Sequence, residues 1–80
     1  MITLYINPEC PFCKKTVETA RELGAPVTLK DVHEPGVTEE LIQLGGKRQM
    51  PYMVDDEDGV SMYESDDIIA YLHRKFDHGT

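Results

Sequence analysis

The sequence predicts an α/β domain with the element order β-α-β-α-β-β-α, a four-stranded mixed sheet and three helices. Three observations lead there. An apolar, β-branched run opens the chain with no polar face, as a strand buried on both sides does. From Pro11 the apolar period lengthens to that of a helix, and the same switch recurs twice further on. Between the later helices, two short apolar runs flank an Asp-Gly turn, the local chemistry of a hairpin. Strands separated by helices pair in parallel through right-handed crossovers, and the hairpin adds antiparallel edges.

Each element has its own signal. Met1 to Ile6 is the first strand and Asn7-Pro8-Glu9 a loop. Cys13, Val17, Ala20 and Leu23 then line one helical face, with Pro11 in the first turn, where its missing N–H costs nothing, and Gly24 as the C′ residue. Val27 to Val32 is the second strand. Thr38 is the expected N-cap of a short helix through Leu44, which Gly45-Gly46 ends. Pro51 to Val54 and Val60 to Tyr63 are the hairpin strands, joined by an Asp55-Asp56-Glu57-Asp58-Gly59 turn. Ser65 caps the last helix, whose apolar stripe is Ile68, Ile69, Leu72 and Phe76. Met53 and Met62 are expected to pack the hairpin onto the core, and Tyr5 is expected to be packing.

Composition bounds the function. Eighty residues make room for one domain spanning 1–80. A net charge of −7 argues against general affinity for nucleic acid or anionic lipid. No apolar run approaches the roughly 18 residues of a membrane helix, so no membrane partner is expected. The imbalance is local: residues 55–67 carry seven acids and no Lys or Arg, and the remainder is balanced. The turn acids are expected to serve solubility. Lys14, Lys15, Lys47 and Arg48 are expected on a locally positive face.

The two cysteines, Cys10 and Cys13, form one Cys-x-x-Cys. A ring that small hardly restricts the unfolded chain, so the pair points to redox or metal chemistry in a reducing, cytoplasmic setting. Its position carries more than the motif does. A thiol at a helix N-terminus meets N–H groups without helical partners and the positive end of the dipole, both favouring thiolate. Cys10 is the outer member and the expected nucleophile; Cys13, one turn inside, can attack a mixed disulfide on Cys10. Half of a zinc site is the other reading, but its further ligands would have to come from His33, His73 and His78, none at paired metal spacing. No metal is expected, and the histidines are given no role.

Two further segments carry charge or constraint. Gly46-Lys47-Arg48-Gln49-Met50-Pro51 ends in a proline entering a strand, where no ladder N–H is needed. Ser65-Asp66 opens a helix: its N–H groups can receive a carboxylate while neighbouring acids receive an ammonium. Plain capping explains the same residues equally well.

Together these segments resemble the glutaredoxins over nearly the whole chain. Cys10-Pro11-Phe12-Cys13 is similar to the dithiol Cys-Pro-Tyr-Cys, and Gly46 to Pro51 to the family's cis-proline segment. Tyr63-Glu64-Ser65-Asp66-Asp67 resembles the site for the γ-glutamyl end of glutathione, in a wording closer to the N-terminal domain of glutathione transferases. The resemblance implies a thioredoxin fold, a cis Met50-Pro51 bond and glutathione as co-substrate. It further implies a Cys10 nucleophile, a Cys13 resolving thiol, and substrate contacts from Pro11, Phe12, Met50, Pro51, Glu64, Ser65 and Asp66. Lys47 and Arg48 could hold the glycyl carboxylate of glutathione, although as isolated residues they also read as solvated cations. Asn7 stands where many glutaredoxins carry lysine. The expected activity is reduction of protein disulfides or protein–glutathione mixed disulfides by a monomer. The alternatives are an electron donor reduced by thioredoxin reductase and a glutathione or metal-cluster binding module.

Overall fold

The structure is a computed structural model describing residues 1–76. His78, given no role above, lies outside the described residues. The elements follow the expected order: β1 (Ile2–Ile6), α1 (Pro11–Glu22), β2 (Val27–Asp31), α2 (Val37–Gly45), β3 (Tyr52–Asp55), β4 (Val60–Met62) and α3 (Ser65–Phe76). The sheet order is β2-β1-β3-β4. β1 pairs in parallel with β2 and antiparallel with β3, and β3 pairs antiparallel with β4. This is the four-stranded mixed sheet with three helices of a thioredoxin-like fold.

The alternation of β1 sorts its side chains onto two cores. Ile2, Leu4 and Ile6 join Cys13, Ala20, Met53, Ile68 and Leu72 between the sheet, α1 and α3. Tyr5 points to the other face, where Tyr52, Val32 and the α2 residues Val37 and Leu41 enclose it. Lys30 of β2 reaches the Glu40 carboxylate of α2 at 2.9 Å, tying that helix to the sheet edge.

Several local expectations need correction. Gly36, not Thr38, caps α2: its φ of 83° is a left-handed turn that a glycine adopts without strain. The Thr38 hydroxyl instead donates to the Val32 carbonyl at 3.0 Å, fastening the helix to the end of β2. Pro51 and Tyr63 lie just outside the hairpin strands. On α1, Thr16 is wholly buried while Val17 is only half-buried. Its hydroxyl donates to the Phe12 carbonyl at 2.9 Å, so a polar residue enters the core satisfied. Phe76 is half-buried against the core, and Ile69, expected in the apolar stripe, is also only half-buried.

Asp55 departs most from expectation. It ends β3 instead of beginning a solvated turn, and it is wholly buried. Lys75 and Tyr71 of α3 both donate to its carboxylate, and the Glu57 N–H does so at 3.1 Å. Burial by itself would raise its pKa; these three donors overrule burial and bring it down to about 2. Lys75 also reaches Asp58 at 3.1 Å, and the amino terminus of Met1 pairs with Asp56. The turn acids therefore lock the hairpin to α3 and to the start of the chain.

Candidate active site

β1 delivers the chain to the sheet end opposite the hairpin, and a tight loop turns it into α1. The Asn7 side chain accepts from the Glu9 N–H at 3.0 Å, and the Cys10 N–H donates to the Asn7 carbonyl at 2.9 Å. Asn7 thus builds the loop as an Asx turn, a role the sequence reading did not assign to it. Cys10 is the N-cap residue, with extended φ and ψ of −81° and 125°; Pro11 follows in the first turn, which contains no acid. The helix terminus is therefore left to the thiol.

The two sulfurs sit in opposite environments. Cys10 is half-buried and Cys13 wholly buried. The Cys13 N–H is the main influence lowering the Cys10 pKa; burial opposes it, and the Phe12 N–H and Cys13 thiol assist. Burial is the main cause pushing Cys13 up to about 11, aided by the charge on Cys10 and opposed by the Asn7 N–H, which donates to Cys13 Sγ at 3.4 Å. Of the two, Cys10 is therefore the more readily ionised thiol and Cys13 the less.

Beside the α1 terminus runs a groove of about 260 Å³. It is lined by Phe12 from α1, by Gln49, Met50 and Pro51 ahead of β3, and by Tyr63 through Asp66 at the start of α3. The Met50–Pro51 bond is cis. Six of the residues singled out from sequence therefore meet here: Phe12, Met50, Pro51, Glu64, Ser65 and Asp66. Ser65 is buried where α3 starts, while Glu64 and Asp66 are exposed. Gln49 donates to the Glu64 carboxylate at 3.2 Å, and Lys15 of α1 reaches Asp66 at 3.1 Å, so each of these two exposed acids has one partner.

Other expected residues lie apart. Pro11, Lys47 and Arg48 are exposed and, among the described residues, do not line the groove. Lys47 comes near it through its backbone, which exchanges two hydrogen bonds with the Tyr63 hydroxyl, and its ammonium sits 4.9 Å from the Tyr63 ring centre. Phe12 is 62% exposed, an apolar ring standing in water between the two cysteines in sequence. Lys14 belongs to a second hollow, about 220 Å³, on the Cys13 side of α1 with Pro8 and Arg21. The positive face expected from sequence is therefore divided: Lys15 turns toward the groove and Lys14 away from it. The sequence reading did not single out Tyr63 or Gln49 individually, although both lie inside the quoted segments.

Solved structures share this architecture. A glutathione S-transferase 1-6 from Anopheles dirus species B aligns with 28% identity and a TM-score of 0.79, over 96% of this chain and 37% of its own. A delta-class glutathione transferase from Nilaparvata lugens aligns with 29% identity and a TM-score of 0.77, over 95% of this chain and 36% of its own. An Omega 3C glutathione transferase from Trametes versicolor shares the fold, with a TM-score of 0.81 at 22% identity, over 99% of this chain and 35% of its own. This chain thus spans little more than a third of the length of these transferases. No curated protein matches it. Residues 4–79 match the family described as glutathione S-transferase, N-terminal domain. The two-core sheet, the cysteine-capped helix and the groove at the start of α3 therefore belong to a member of the glutathione S-transferase N-terminal domain family.

Proposed function

We propose that this domain is a glutathione-dependent thiol-disulfide oxidoreductase of glutaredoxin type. The observation that carries the reading is the contrast between the two thiols, with Cys10 lowered at the helix terminus and Cys13 buried and raised to about 11. Cys10 thiolate attacks the glutathione sulfur of a protein–glutathione mixed disulfide. The protein–glutathione S–S bond breaks, the protein leaves as a thiolate, and Cys10 carries the glutathione. A second glutathione thiolate then attacks the Cys10-bound glutathione sulfur, releasing Cys10 thiolate and glutathione disulfide. With a protein disulfide, Cys10 instead forms a mixed disulfide with one protein sulfur as the other leaves as a thiolate. Cys13 then attacks Cys10, expelling the second protein thiolate and forming a Cys10–Cys13 disulfide, which two glutathiones reduce with release of glutathione disulfide. Discharging Cys10 removes the negative charge that disfavours a Cys13 thiolate, and the Asn7 N–H remains to stabilise it.

Glutathione fits the groove by its charges. The α3 N–H groups around Ser65 can receive the γ-glutamyl carboxylate, and Glu64 and Asp66 its ammonium. The cysteinyl portion would then run past Met50 and Pro51, which line the same groove, whereas Lys47 and Arg48 lie outside its lining and carry no assigned contact. The transferase names of the neighbours support glutathione as the ligand. They also favour a second reading, in which this is the glutathione-binding part of a longer transferase that adds glutathione to an electrophile.

A coupled assay separates the readings. With glutathione, glutathione reductase and a glutathionylated peptide, wild type and Cys13→Ser should turn over and Cys10→Ser should not. Full activity in Cys10→Ser, or turnover only with thioredoxin reductase, would sink the proposal. Conjugation of an electrophile without disulfide reduction would establish the second reading.

A further inference from the structure

Tyr63 ties the segment entering α3 to the loop that precedes Met50 and Pro51. Its hydroxyl donates to the Lys47 carbonyl at 2.9 Å and accepts from the Lys47 N–H at 3.2 Å, closing both backbone groups of one residue on one side chain. Its ring lies 4.5 Å from that of Tyr52, which in turn lies 5.8 Å from Tyr5, so the contact is anchored in the α2-side core. The Lys47 ammonium covers the ring. Gly45 makes room for it: a Cβ built there would stand 1.9 Å from the Tyr63 hydroxyl and 2.6 Å from the ring carbon bearing it. Gly45 therefore does more than stop α2. Gly46 supplies the left-handed turn, with φ of 89°, and Gly45 supplies the space.

We propose that Tyr63, seated against Gly45, is a positioning residue that fastens the loop 46–50 to the start of α3 and so fixes the shape of the glutathione groove. The role rests on the glutathione reading above. Tyr63 acts through the Lys47 backbone on the segment carrying Gln49, Met50 and Pro51, and not on the sulfur chemistry of Cys10. Removing the hydroxyl frees two backbone groups to exchange with water and lets Gln49, Met50 and Pro51 move relative to Ser65.

The test uses Tyr63→Phe, Gly45→Ala and the double variant. Backbone hydrogen exchange should accelerate across residues 46–50 in both single variants. Glutathione affinity by calorimetry should fall about five- to tenfold in each, the loss expected for one or two net hydrogen bonds. The double variant should lose no more than either single one, because both break the same contact. The pH profile of Cys10 alkylation should match that of wild type, which a general loosening of the domain would not allow. Unchanged exchange in loop 46–50, additive losses, or unchanged affinity would each overturn the proposal. Failure of the wild type to bind glutathione would overturn the glutathione reading instead, while the exchange comparison still decides whether Tyr63 holds the loop.

Discussion

The two ends of the sheet use acidic residues in opposite ways. At the hairpin end, Asp55 is wholly buried and receives Lys75, Tyr71 and a backbone N–H, while Lys75 also takes up Asp58. At the cysteine end, Glu64 and Asp66 are exposed and held by single contacts from Gln49 and Lys15. Both sets come from one acid-rich stretch of the chain. Burial is what separates them: a desolvated carboxylate must be fully paired, whereas a solvated one can exchange its partner for a ligand. The closed end is therefore expected to carry stability, and the open end chemistry.

The largest effect should come from the open end. Cys10→Ser should abolish glutathione-dependent disulfide reduction, by about three orders of magnitude or more, as expected when the attacking thiolate is removed. Its melting temperature should stay close to wild type, because the half-buried sulfur fills little of the core. A large drop in melting temperature would break the division of roles.

Next comes the closed end. Asp55→Ala removes the buried acceptor of Lys75 and Tyr71, leaving them the exposed Asp58, and should cost about 2–3 kcal/mol in denaturant unfolding. In a domain of this size that lowers the melting temperature by about 10–20 °C. Cys10 alkylation should keep its pH profile in this variant. The same carboxylate predicts a pH dependence. Its folded pKa of about 2 lies below its ordinary value of 3.8, so its stabilisation is complete well above 3.8 and is lost as pH falls toward 2. Acid titration followed by circular dichroism should show that loss in wild type and a weaker one in Asp55→Asn.

The thiols supply an intermediate test. Alkylation should proceed at Cys10 at pH values below the ordinary cysteine range, whereas Cys13 should stay unreactive until the pH approaches 11. Equal rates at the two positions would show that the helix terminus does not discriminate between them. The smallest expected effect is that of Lys15→Ala. Its ion pair with Asp66 is exposed on both sides, so unfolding should change by under about 1 kcal/mol. Asp66→Asn should likewise leave stability nearly intact while weakening glutathione binding a few-fold, the reverse of Asp55→Ala.

Much of the site was legible because its chemistry is local. Cys10, Pro11 and Cys13 are chain neighbours, so a strand-to-helix transition at Pro11 is enough to place a thiol at a helix terminus. Ser65 and Asp66 were legible for the same reason. Tyr63 was harder to read. Its hydroxyl meets a residue 16 positions earlier, and the space it needs is created by Gly45, which in the sequence reads simply as a helix stop. Asn7 was placed in a loop and noted where a lysine is usual, although Asx-turn chemistry in Asn-Pro-Glu could also have shown that its side chain builds that loop. Asp55 was misread because a run of acids beside a glycine reads as a solvated turn, and Lys75 lies 20 residues away.

Apolar periodicity, Pro and Gly punctuation and the placement of the cysteines by themselves determined the element order and the polarity of the thiol pair, since each depends on neighbours within a few residues. Only the tertiary structure decided which acids are buried and locked and which stay exposed, and that Phe12, Gln49 to Pro51 and the start of α3 share one groove. The reason is physical: pairing a buried carboxylate, seating a tyrosine hydroxyl and closing a groove all depend on distances between segments remote in sequence, which the antiparallel register of β1 with β3 and the return of α3 across the sheet bring together.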